Sequence, residues 1–165
     1  MSDTMIRSND GVRSRLAAVA AMAAIFTLMS ATPALAAAPT SVTVVVSGTV
    51  APTGEATFEL EGVGAGSRLG AFTYHGDVVI TGVTDNGITD TLTETLTFGN
   101  GDSVTILCLQ EAAAVGPGLF VGSDSWTVIG GTGRYANATG SGTGTTHVDL
   151  NAGTFTKVFD GTINR

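Results

Sequence analysis

A strict two-residue rhythm in Ile88–Phe98 (ITDTLTETLTF) limits the fold more than any other feature of the chain. Every odd position from 89 to 97 is Thr, while the even positions are Ile88, Asp90, Leu92, Glu94, Leu96 and Phe98. Such alternation sends the two sets to opposite faces of a strand, one of them toward a core. Comparable runs cover about 41–50, 55–62, 68–82 (bent at Gly76), 102–110, 123–130, 140–150 and 154–163. No helical periodicity follows residue 40. Parallel pairing needs crossover helices, so about eight antiparallel strands are expected.

Three connections end in Gly: Asp85-Asn86-Gly87, Gly99-Asn100-Gly101 and Asn151-Ala152-Gly153. A three-residue hairpin loop wants Gly at its left-handed position, whereas a two-residue Asn-Gly turn shifts the register by one and swaps faces. Matching of apolar residues favours the three-residue loops. Ile88, Leu92, Leu96 and Phe98 then share a face with Tyr74, Val78 and Ile80, and with Val104, Ile106 and Cys108. Closure of the sheet removes exposed edges, which suits a strand-rich chain with a single Lys. The expected fold is therefore all-β: one eight-stranded antiparallel β-barrel, its interior filled by side chains or holding one small ligand.

The first 36 residues read as an address. Arg7, Arg13 and Arg15 precede an uncharged apolar stretch, Leu16–Leu28, followed by Pro33 and Ala34-Leu35-Ala36. This is the order of a Sec-type signal peptide, and 13 apolar residues fall short of the ~20 that span a membrane. The expectation is a cleaved segment 1–36, a barrel domain 37–165 and a secreted product with no membrane in its mature form. Removing 1–36 takes away three of seven cations and two of fourteen acids, so the net charge moves from −7 to −8. A chain this acidic is excluded as a general nucleic-acid binder. One cysteine, Cys108, excludes a disulfide framework.

The register selects candidate site residues. Glu94 falls on the inward face between Leu92 and Leu96, with Val78 and Ile106 expected across from it. A carboxylate in such company is a candidate general acid or base. Asp90 lies on the same face opposite Gln110, toward a barrel mouth. Tyr74 is expected near Phe98 and Cys108 beside Leu92. Trp126 is placed either to stack on a ligand or to pack. His75-x-Asp77 and His147-x-Asp149 each put two potential ligands on one strand face, but His75 and Asp77 are expected to point outward, and no metal is expected. Gly62–Gly70 and Glu111–Gly122 read as longer loops, the second a candidate lid. Leu107 and Leu109 form an outward apolar patch that favours oligomers.

Trp126-Thr-Val-Ile-Gly-Gly-Thr-Gly-Arg-Tyr-Ala-Asn-Ala-Thr-Gly140 resembles a signature of the dirigent and allene oxide cyclase superfamily. In that signature a strand ends in G-G-T-G-(R/K)-(F/Y), here Gly130, Gly131, Thr132, Gly133, Arg134 and Tyr135. The resemblance implies an eight-stranded barrel, often trimeric, whose cavity takes a hydrophobic small molecule, and whose plant members guide cyclisation or coupling without a cofactor. It transfers turn residues and no catalytic ones. Gly131–Ala136 also fits a dinucleotide fingerprint, but the Gly-rich run 140–146 cannot supply the helix that such a fingerprint must open. The expected function is thus a secreted barrel binding a hydrophobic small molecule, a cofactor-independent cyclase or isomerase, or a stereo-guiding protein. The alternative is a non-catalytic extracellular barrel that works through its outer face.

Overall fold

Alternating apolar residues give most strands one face to bury, β7 offering a row of glycines instead, and the chain buries these faces by rolling a single sheet into a cylinder. The computed structural model describes residues 38–165; the expected signal peptide lies outside the described residues. The strands are β1 (Thr40–Pro52), β2 (Thr57–Gly66), β3 (Gly70–Thr84), β4 (Gly87–Phe98), β5 (Ser103–Gly116), β6 (Leu119–Gly131), β7 (Thr139–Asp149) and β8 (Thr154–Asn164), with a 3-10 turn at Gly133–Tyr135. Each pairs antiparallel with its chain neighbour, and β8 returns to β1 over Thr40–Thr49, which closes the barrel. Among the described residues no helix is long and apolar enough to cross a membrane.

The inward parity is the expected one, but the chain reaches it differently at each turn. Between β4 and β5 the loop is Gly99-Asn100-Gly101, closed by Phe98 N donating to Asp102 O, with Gly101 left-handed at φ +86°. Between β3 and β4 only Asp85 and Asn86 lie outside the pairing, which alone would invert the faces. A β-bulge between Ile80 and Gly82 absorbs the odd residue and restores them, so the irregularity of β3 sits there and not at Gly76. The net result is a two-residue slide relative to a three-residue loop. Glu94 therefore faces Gly76 instead of Val78, and Tyr74 faces Leu96 instead of Phe98. The β7–β8 connection is a four-residue loop, Leu150–Gly153, in which the Asp149 carboxylate accepts from the backbone N–H groups of Asn151 and Ala152.

Two stretches expected as loops are strand instead. β2 runs on to Gly66 and β3 starts at Gly70, leaving Ser67-Arg68-Leu69 as the turn. β5 and β6 extend as a hairpin as far as the Gly116–Leu119 pair, turning at Pro117-Gly118, so there is no lid loop at 111–122. Cross-strand bonding satisfies the backbone of these small-residue segments, which a solvated loop would leave to water. On the outer wall Leu109 is exposed and Leu107 half-buried.

The two ends of the cylinder differ. At one end the signature segment folds over the opening. Thr132 Oγ1 accepts from Ser103 N at 2.9 Å, and Gly133 takes φ +55° against the Asp102 carboxylate. Tyr135 is wholly buried and stacks on Phe98 at 4.9 Å, while the Arg134 guanidinium lies over both rings. With Phe72 edge-on to Phe98, these groups plug that end. At the other end, where the β1–β2, β3–β4, β5–β6 and β7–β8 turns lie, the lumen stays open.

Candidate functional site

Inside the wall, between plug and mouth, polar side chains interrupt the apolar core. β4 contributes Glu94, β5 Cys108, β6 Asp124, β7 Thr146 and β8 Lys157, each buried. Lys157 is the hub. Its Nζ donates to Glu94 Oε1 at 2.6 Å, lies 3.1 Å from Asp124 Oδ2, and reaches Cys108 Sγ at 3.7 Å. The Cys108 thiol donates to Glu94 Oε2 at 3.3 Å, and the Thr146 hydroxyl to Asp124 Oδ2 at 3.4 Å. The ammonium also sits 4.6 Å from the centre of the Phe159 ring. Gly144, paired with Asp124, leaves the room that this carboxylate occupies.

Environment sets the protonation states. Burial works against the Lys157 ammonium, but the Glu94 and Asp124 charges outweigh it and hold its pKa above the usual value, so it stays charged. Burial, then the Glu94 charge, pushes the Cys108 thiol far up, so it is no thiolate nucleophile. The Tyr74 phenol is raised by burial and then by Glu94, and its hydroxyl is buried without a partner. Asp124 is raised mainly by burial, with Lys157 opposing.

Toward the mouth a cavity of about 110 Å³ opens. Apolar side chains from β1 through β7 line it, among them Val50, Leu60, Val78, Leu92, Phe120 and Val148, together with three polar residues, Asp90, Gln110 and Thr146. Asp90 pairs with Gln110 across β4 and β5. It is 6% exposed, and its Oδ1 is buried with no hydrogen-bond partner. Burial foremost raises its pKa to about 6; Asp124 and Glu94 add to this and Lys157 opposes it. Asp90 is the titratable group on the cavity wall.

The residues selected from sequence thus divide. Asp90 and Gln110 line the cavity, whereas Glu94, Tyr74, Cys108 and Trp126 do not. Glu94 is committed to Lys157. The Tyr74 ring packs on Phe155 at 5.5 Å. Trp126 donates Nε1–H to Thr143 O at 3.1 Å and meets Phe159 edge-on. Lys157, Asp124 and Thr146 escaped the sequence reading, although a signal for two of them exists. Lys157 shares its parity with Phe155 and Phe159, and Asp124 with Trp126 and Val128, so both sit in apolar inward rows.

On the outer wall His75 Nδ1 lies 2.6 Å from Glu61 and 3.7 Å from Glu59, with Asp77 at 3.4 Å from Nε2. Glu59, Glu61 and His75 are the one grouping among the described residues whose donor atoms gather closely enough for a cation. All are solvent-facing, and the hydrogen bond to Glu61 accounts for the raised pKa of His75. His147 stands on β7, which does not adjoin β3, so the two His-x-Asp pairs do not meet.

These features define a class: a closed up-and-down barrel, plugged at one end, with a buried ionic layer beneath an apolar mouth. Comparison with family models, curated proteins and solved structures finds no match to the chain.

Proposed function

We propose that this chain is exported and that its barrel binds a small, largely apolar molecule through the open mouth. One observation carries the reading: an apolar cavity of about 110 Å³ whose lining includes Asp90, a carboxyl with one oxygen, Oδ1, buried without a hydrogen-bond partner. Pockets of this kind, apolar with a few convergent polar groups, are where small ligands bind. The N-terminal address pattern supports export, and the likeness of 126–140 to the dirigent and allene oxide cyclase signature supports a small-molecule barrel.

A second reading, cofactor-independent proton transfer during cyclisation or isomerisation, is favoured by Asp90. A buried carboxyl raised to about 6 in an apolar lining is matched to giving and taking protons near neutrality. That role passes to Asp90 from Glu94, because Glu94 is held by Lys157 and does not line the cavity.

Xenon tests the binding reading. It enters dry apolar cavities of this size range. Methyl resonances of Val78 and Leu92 are expected to shift under xenon pressure, and Ala112→Leu, which fills the cavity, abolishes the shift. Unperturbed methyls in the parent protein would show that the cavity takes no guest.

A further inference from the structure

The buried charged groups around the cavity are unevenly balanced. Among the described residues, the buried ionisable carboxyls are Asp90, Glu94 and Asp124, set against one buried cation, Lys157. Lys157 is already shared between Glu94 and Asp124, at 2.6 and 3.1 Å. Neither contacts the guest space; Asp90 does, and no side chain or backbone group reaches its Oδ1. A buried acceptor left without a donor costs about 1–3 kcal/mol. The interior therefore lacks one donor, and it lacks positive charge.

Resting on the binding reading above, we infer that the guest is a small apolar cation or donor, a short alkylammonium in kind, whose head hydrogen-bonds Asp90 while its hydrocarbon body fills the mouth. An anionic head of the same length is rejected. It would bring a further negative charge to a wall where the carboxyls outnumber the cation, and it offers Asp90 no proton to accept. Size follows from volume. An apolar cavity of ~150 Å³ holds benzene, so ~110 Å³ holds a body of roughly four to five carbons.

The groups facing Asp90 determine the pH behaviour. Gln110 from β5 and Ile80 from β3 flank it, neither of them titratable. Lys157 from β8 favours the charged form, whereas Asp124 from β6 and Glu94 from its own strand disfavour it. Asp90 is ionised at pH 7.5 and loses its charge below about pH 6, so the preference for a cation weakens as the pH falls.

The test is a matched series, n-pentylammonium, 1-pentanol and pentanoate, titrated into the isotope-labelled protein and read by chemical-shift changes of the mouth residues. At pH 7.5 pentylammonium is expected to bind about tenfold more tightly than pentanoate, with pentanol between them. The preference contracts at pH 5. In Asp90→Asn, with its fold checked by the same spectra, pentylammonium falls to the affinity of pentanol. Pentanoate binding as tightly as pentylammonium in the parent protein overturns the inference without recourse to any variant, and so does an ammonium preference that survives in Asp90→Asn. Pentanol binding with no discrimination by charge overturns this inference and leaves the cavity reading standing. Failure of all three to bind overturns both.

Discussion

At the scale of single residues, Lys157 decides the energetics of the interior. Two buried carboxylates share its ammonium, so the cost of a substitution depends on which charge is removed. Lys157→Met strands Glu94 and Asp124 beside each other and is expected to cost about 3–5 kcal/mol at pH 7. Glu94→Gln leaves Lys157 paired with Asp124, and the amide can still meet the ammonium, so about 1–2 kcal/mol is expected. Urea unfolding of the two variants checks this ordering, which fails if the lysine variant is the more stable. Asp90 works in the opposite sense. Its folded pKa, about 6, lies above the ordinary 3.8, so its contribution to stability is complete below pH 3.8 and is lost as the pH rises through 6. Asp90→Asn should accordingly be more stable than the parent by about 1–2 kcal/mol at pH 8 and lose that advantage at pH 4.

Parity made Lys157 legible as an inward residue, since it stands between Phe155 and Phe159. Its partner was not legible. Glu94 is 63 positions away on a strand that does not adjoin β8, and only closure of the cylinder brings the two together across the lumen. Asp90 could be placed from its pairing with Gln110, but that it lines open space depends on the bulk of side chains from other strands.

At the scale of elements, turns and bulges share the task of keeping apolar residues inward. The alternation of β4 implied the faces correctly; the turn before it did not reveal how they are kept. A two-residue turn plus a bulge beside Gly82 gives the same parity as a three-residue loop, and apolar matching alone cannot tell them apart. The two-residue slide that results is what moves Glu94 from Val78 to Gly76. The glycine turns can be separated by experiment. Gly101 has φ +86° with open space where a Cβ would stand, so Gly101→Ala carries only the left-handed penalty, about 1–2 kcal/mol. Gly133 has φ +55°, and a Cβ there meets the Asp102 carboxylate, which accepts from Arg134 N and Asn100 Nδ2. Gly133→Ala is expected to be the costlier of the two by denaturant unfolding; equal losses would show that the Asp102 corner yields freely.

At the scale of the whole molecule, closure pairs the first strand with the last: Thr40 lies opposite Ile163. Joining the ends of the barrel with a short flexible linker and reopening the chain at Asn100 should therefore give a circular permutant that keeps the native circular-dichroism spectrum and cooperative unfolding. A permutant that unfolds non-cooperatively would mean that the β4–β5 turn must form early for the cylinder to close. The all-β architecture was legible because its signal repeats in every strand. That Phe98 and Arg134 complete a plug at one end was not, since they meet Tyr135 only after β4 and the 3-10 turn converge.

That difference makes the barrel a cul-de-sac. With the far door bricked up by stacked rings and a guanidinium, nothing can thread through, and whatever visits must back out by the way it came. A long molecule could park only its tip inside and would leave the remainder trailing in water, within reach of any other protein able to grasp it.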